Sequence, residues 1–193
     1  MVASAGMPPL NLTSAPLPYE ARLTPRDPAS IDLVVIHCTE LPDLATAREY
    51  GERVLYDESG TGNSGHYYID TDGTVYRFVA DDRIAHHTHG HNARSIGIEV
   101  ANIGRYPHWN DSRHQTFTVP YTKPQIDALL ALLRQLRTHI PSLRHIAGHE
   151  DLDRRLEPAS DDPTIMLPRR QDPGPLFPWG EVVPASGLQR LVP

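Results

Sequence analysis

Residues 31–37 (IDLVVIH) limit the possible architectures more than any other segment, because the run is short, nearly continuous in apolar residues and rich in β-branched side chains. A strand with that pattern has no polar face to turn toward water, so it belongs inside a sheet covered on both sides. Residues 95–100 (SIGIEV) form a second run of the same kind. Between them, residues 66–70 (HYYID) and 74–79 (TVYRFV) flank Thr71-Asp72-Gly73, whose Asp-Gly pair tolerates positive φ and predicts a β-hairpin. Thr122-Lys123-Pro124-Gln125 has the form of a capping box with proline in the first turn. After it Ile126, Leu129, Leu130, Leu133, Leu136 and Ile140 recur at helical spacing until Pro141 ends the helix. A weaker helix over 44–55 is capped by Asp43 and diluted by Gly51.

The expected fold is therefore α/β, a central mixed β-sheet flanked by helices on both faces in a single domain. Its expected limits are 31–180, between an extended proline-rich arm over 1–30 and a C-terminal tail over 181–193. Residues 145–149 (HIAGH) read as a short strand or turn, while 102–121 and 150–171 carry no period and read as loops.

Composition narrows the function. The net charge of −6 and the pI near 6.0 leave little capacity to neutralise phosphates, so nucleic acid is excluded as the expected partner. No run approaches the roughly 20 apolar residues of a membrane span, so no membrane partner is expected. The single cysteine, Cys38, excludes an internal disulfide and is expected to be a buried thiol facing away from His37. Residues 1–30 show neither a basic start nor an apolar signal core. The expected location is cytoplasmic if Met1 is the native start, and periplasmic or extracellular if a signal was removed. Lys123 is the only lysine among 18 basic residues, while histidine, the commonest side-chain metal ligand, occurs 11 times.

A catalytic zinc site takes three protein ligands from His, Cys and carboxylates and leaves a fourth position for water. His37 ends the first buried run, His149 follows a glycine, and Asp172 lies in a rigid Gln171-Asp172-Pro173-Gly174-Pro175 turn. Each taken singly also fits a hydrogen-bonded core histidine or a turn aspartate. The 86–91 tract (HHTHGH) is a further candidate metal site, although neighbouring residues on a strand or loop point different ways.

The ordered set is more informative than any member. Val34-Val35-Ile36-His37, then Gly65-His66-Tyr67-Tyr68-Ile69-Asp70 leading into Asp72-Gly73-Thr74, then Ser95-Ile96-Gly97-Ile98-Glu99, Ala147-Gly148-His149-Glu150 and Asp172-Pro173-Gly174-Pro175 together resemble the type-2 N-acetylmuramoyl-L-alanine amidases. That family includes the AmpD enzymes, phage amidase-lysozymes and animal peptidoglycan recognition proteins, and the resemblance covers 31 to about 180. It implies hydrolysis of the amide between N-acetylmuramic acid and L-alanine in peptidoglycan fragments, with Zn2+ on His37, His149 and Asp172. It implies Glu99 as general base, in the AmpD manner, because the tyrosine that phage-type enzymes place before the hairpin histidine is Gly65 here. His87 would line the substrate groove, with Asn92 near it.

The chain departs from the family pattern in two places. Arg170 stands where a lysine is common, two residues before the third ligand; arginine keeps the charge for an oxyanion-stabilising role but changes the geometry. His149 and Asp172 are separated by 23 positions, and Asp151, Asp153, Asp161 and Asp162 in that stretch are alternative third ligands. The long loop 102–121 and the insert 150–171 are the expected walls of an open groove. A non-catalytic peptidoglycan-binding module and a zinc peptidase acting on the peptide stem remain alternatives, although no His-Glu-x-x-His motif is present. Oligomeric state is left open.

Overall fold

The computed structural model describes residues 10–192. Seven strands form one mixed sheet, in the spatial order Leu12–Ser14 (β1), Val75–Arg77 (β4), Tyr67–Ile69 (β3), Ser95–Val100 (β5), Leu33–Cys38 (β2), His145–Gly148 (β6) and Gln189–Arg190 (β9). The central strand β2 (Leu33–Cys38) pairs in parallel with β5 (Ser95–Val100) on one side and β6 (His145–Gly148) on the other. Its six residues are all buried, as its apolar run requires. The hairpin forms as β3 (Tyr67–Ile69) antiparallel to β4 (Val75–Arg77), with Gly73 at φ +87° in the turn. A side chain at Gly73 would also strike the Pro124 carbonyl oxygen at 2.8 Å.

Alternation along the strands divides the interior. Val34, Ile36, Ile96, Ile98, Val100 and Ile146 pack under α2 (Lys123–His139) together with Leu129, Leu132, Leu133 and Leu136. The capping box holds this helix start, with Gln125 N donating to Thr122 Oγ1 and Thr122 N donating to Gln125 Oε1. The opposite face of β2 carries Leu33, Val35 and then His37, with Leu152 of the short α3 (His149–Leu152) packed on it, while α1 (Leu44–Glu52) buries Ala47 against Tyr68 and Phe78 further along the sheet. Asp43 caps α1 by accepting from Thr46 N at 2.7 Å, and the helix stops at Glu52, before the expected Leu55.

The segments described nearest the two ends are built into this sheet, which corrects the expected arm over 10–30 and the tail over 181–192. From Leu12 to Ser14 the chain forms β1, an edge strand parallel to β4. Leu17, Tyr19 and Leu23 then bury against Leu41 and Ala47, and the Tyr19 hydroxyl donates to the Gly51 carbonyl at 2.6 Å. Residues 1–9 of the expected arm lie outside the described residues, as does Pro193 of the tail. Beyond Phe177, α4 (Trp179–Ser186) packs on α2, and β9 (Gln189–Arg190) pairs in parallel with β6. The stretch 150–171, expected as a loop, contains α3's last turn and a small antiparallel hairpin of β7 (Leu156–Pro158) and β8 (Met166–Pro168). The described residues include no helix long and apolar enough to cross a membrane.

Candidate active site

The parallel strands β2, β5 and β6 run in the same direction, so their C-terminal ends share one edge of the sheet, where open α/β sheets place their ligands. His37 is the fifth residue of β2, and its register partner on β5 is Glu99. Ile36 pairs with Gly148 on β6, which delivers His149, the first residue of α3, beside His37. The two imidazoles meet edge to face with ring centroids 4.6 Å apart.

Asp172 arrives from 23 residues further on and closes the group. Its Oδ2 lies 2.8 Å from His37 Nδ1 and 3.2 Å from His149 Nδ1. One ligand atom from each of these three buried residues falls within 4.8 Å of the others, and they form the one such cluster among the described residues. The turn that carries Asp172 is fixed by Tyr121, whose hydroxyl donates to the Pro173 carbonyl at 2.7 Å, and by Glu150 N, which donates to the Asp172 carbonyl at 3.0 Å. Gly174 at φ +86° is packed against the Phe117 ring, where a Cβ would lie 2.7 Å from a ring carbon.

The alternative aspartates are engaged elsewhere. Asp151 accepts from Gly148 N, Asp153 is paired with Arg155 and Arg169, Asp161 accepts from Ser112, and Asp162 accepts from Thr164. The 86–91 tract does not gather into a second metal cluster: His87 points inward to His37, His86 meets the Tyr56 ring edge to face, and His89 is exposed.

The electrostatics suit a cation. Burial lowers the His37 pKa to about 4, so its ring is neutral with a lone pair to offer. Burial alone would raise the Asp172 carboxyl, but the two imidazoles beside it hold it well below the usual range. Glu99 is pushed up to about 8, first by burial and then by the charge of Asp172, with Arg170 opposing. Arg170 borders the same cleft, and its buried Nε has no hydrogen-bond partner among the described residues. The cleft has a volume of about 710 Å³. Both expected wall segments contribute to it, through Arg105 and Trp109 from one and Arg155 and Arg169 from the other. A third wall is absent from the sequence reading: Tyr50, Leu55 and Tyr56, at and beyond the end of α1.

His87 and Asn92 both border the cleft, but most of their polar atoms face the protein. The Asn92 Oδ1 accepts from His87 N at 3.0 Å and from Thr88 N at 2.7 Å, pinning the loop backbone. His87 Nδ1 lies 3.0 Å from His37 Nε2, and burial among the imidazoles holds its pKa well below the usual value. Gly97 makes room for this ring, since a Cβ there would lie 2.6 Å from His87 Cγ. Cys38, one residue after His37, is a buried free thiol on the α2 side of the strand.

Sequence reasoning also missed the support around these groups. Glu40 and Arg105 form a buried bidentate pair at 2.7 and 2.6 Å beside the cleft. Arg26 donates to the carbonyls of Asp81, Asn92 and Ser95, tying down the segment that carries His87. Neither had a local signal, because each partner lies more than 50 positions away.

The family model described as N-acetylmuramoyl-L-alanine amidase matches residues 27–175. The N-acetylmuramoyl-L-alanine amidase AmiD of Escherichia coli strain K12 is 33% identical over 93 residues, which is 47% of this chain and 27% of that protein. The chain thus spans about a quarter of the length of this curated relative. The solved structure of the N-acetylmuramoyl-L-alanine amidase LysC from Clostridium intestinale URNW has the same fold, with a TM-score of 0.63 at 22% identity over 92% of this chain and 98% of that one. A structure of E. coli AmiD with the substrate anhydro-N-acetylmuramic acid-L-Ala-D-γ-Glu-L-Lys superposes with a TM-score of 0.62 at 22% identity, over 83% of this chain and 58% of that one.

Proposed function

This chain belongs to the N-acetylmuramoyl-L-alanine amidase family, and on that basis we propose that it is a zinc-dependent hydrolase of the amide between the muramic acid lactyl group and L-alanine in peptidoglycan fragments. The observation that carries the proposal is the convergence of His37 Nδ1, His149 Nδ1 and Asp172 Oδ2 from three separate parts of the chain. Two imidazoles and one carboxylate are a donor set that zinc accepts in hydrolytic sites. Asp172, held ionised between the two histidines, fits such an ion better than it fits an empty apolar pocket. A zinc ion held there supplies Lewis acidity toward an amide carbonyl and toward water.

The remaining work falls to the chain's own groups. Glu99, beside His37 on the neighbouring strand, takes a proton from the attacking water and returns it to the leaving amine of L-alanine. A raised pKa suits both halves of that transfer near neutral pH. Arg170, whose Nε is otherwise unsatisfied, faces the negative charge that develops on the carbonyl oxygen. The open cleft receives the sugar and stem peptide of a muropeptide, the substrate class named in the AmiD complex. The products are a lactyl carboxylate on the sugar and a free peptide amine.

Mass spectrometry of defined muropeptides, incubated with the wild type, a chelated sample and Glu99→Ala, tests this directly. Cleavage at the lactyl-alanine bond by the wild type alone is the expected result. Cleavage within the stem peptide would make the protein a peptidase, and binding without cleavage would make it a recognition module.

A further inference from the structure

His37 presents Nδ1 to Asp172 and His149, so its other nitrogen decides whether that lone pair is available. A neutral imidazole carries one proton, and a proton on Nε2 leaves Nδ1 bare. His37 Nε2 lies 3.0 Å from His87 Nδ1 and 3.3 Å from Thr88 Oγ1. His87 Nε2 in turn lies 3.2 Å from Ser95 Oγ, and Ser95 Oγ lies 2.8 Å from the His91 carbonyl oxygen.

The direction of this chain can be read from its far end. A carbonyl oxygen has no proton to give, so the single hydroxyl proton of Ser95 goes to the His91 carbonyl. Ser95 Oγ can then only accept from His87, which places the His87 proton on Nε2 and leaves its Nδ1 bare. A bare His87 Nδ1 can only accept, either from His37 Nε2 at 3.0 Å or from the Thr88 hydroxyl at 3.0 Å. A His37 that gives Nδ1 to a metal carries its proton on Nε2, and His87 Nδ1 is the nearer of the two atoms beside that nitrogen. Its Nδ1 lone pair then faces the Asp172 carboxylate oxygen at 2.8 Å, an approach that two lone pairs tolerate only around a cation.

We infer that His87 is a positioning residue: the chain from the His91 carbonyl through Ser95 and His87 locks His37 in the tautomer whose Nδ1 can bind metal. The inference rests on the zinc reading of the site. It replaces the substrate-lining role that the family resemblance implies for His87. The sequence makes room for the device by leaving Gly97 without a side chain under the ring. Ligating histidines are commonly oriented in this way through their second nitrogen, and loss of such a partner costs about 10–100-fold in metal affinity.

The test compares zinc affinity, by chelator competition, in the wild type, His87→Leu and His87→Asn. The asparagine side chain sets an amide oxygen near the Nδ1 position and can still accept from His37. His87→Leu should bind zinc about 10–100-fold more weakly, and His87→Asn should recover most of the loss. Long-range nitrogen–proton NMR of the zinc-loaded wild type, which needs no variant to fold, should place the His87 proton on Nε2. Wild-type affinity in His87→Leu, or a proton on His87 Nδ1, overturns the inference. A wild type that binds zinc with the His87 proton on Nε2 but leaves muropeptides uncut overturns the proposed activity alone. A wild type that binds no zinc overturns both.

Discussion

Adding a single methyl group at Gly97 probes the packing on which the site depends. An alanine Cβ there lies 2.6 Å from Cγ, 2.7 Å from Nδ1 and 2.9 Å from Cδ2 of His87. Comfortable contact between such atoms needs about 3.5–4.0 Å, so the ring must retreat by roughly 1 Å. The ring also meets those of His37 and His66 edge to face, with centroids 5.2 and 5.6 Å away, which limits its room to move. Either the ring turns, breaking its contacts with His37 and Ser95, or β5 shifts in the middle of the sheet. Overpacking of this kind costs about 1–3 kcal/mol. Each buried hydrogen bond lost with it costs about 1 kcal/mol more. At about 2–4 °C per kcal/mol for a chain of this size, a total of about 2–5 kcal/mol means that Gly97→Ala should melt roughly 4–20 °C below the wild type. Because the displaced ring is the partner of His37, the stabilisation that added zinc confers should shrink by about 1.4 kcal/mol for each tenfold loss of affinity. Calorimetry of zinc-free and zinc-loaded protein measures both effects. Gly180→Ala is the control, since a Cβ there meets nothing within 4 Å. If Gly97→Ala melted within 1 °C of the wild type and kept its full response to zinc, the packing argument would fail.

Three further outcomes are expected. Glu99→Gln should lower kcat by about 10²–10³ while zinc stays bound. In chelator, where the raised carboxyl means that folding favours the protonated form, the stability of the wild type relative to Glu99→Gln should fall as pH rises from 4.5 toward 8 and then level off. Glu99→Gln lacks that slope, so urea melts at about pH 9 should favour the variant and converge with wild type below about pH 5. Arg170→Ala should lower kcat by a similar ~10²-fold factor with zinc content unchanged, and an unchanged kcat removes Arg170 from the mechanism. Arg105→Ala strands the Glu40 carboxylate, whose side chain is 10% exposed, and should cost about 3–5 kcal/mol in urea unfolding. A loss below 1 kcal/mol would mean that water reaches Glu40.

Local chemistry was legible in the sequence wherever one segment carried its own instruction. The 31–37 run required a two-sided strand, Asp72-Gly73 made the hairpin, and Thr122 and Gln125 marked the start of α2, because burial pattern, turn preference and capping act within a few residues. The five short motifs in order were enough to identify the family, and they named the two imidazoles and the carboxylate that converge. The three-residue strands β1, β7 and β8 and the two-residue β9 were not legible, since segments so short have no period and form only when a partner strand accepts their hydrogen bonds. Tertiary structure removed Asp151, Asp153, Asp161 and Asp162, which the sequence left open beside the motif residue Asp172, by engaging them elsewhere. It alone turned His87 inward over Gly97 and joined Glu40 to Arg105. Those outcomes depend on which atoms come within about 3 Å after chain segments up to 135 positions apart have packed, and spacing along a sequence does not encode that distance.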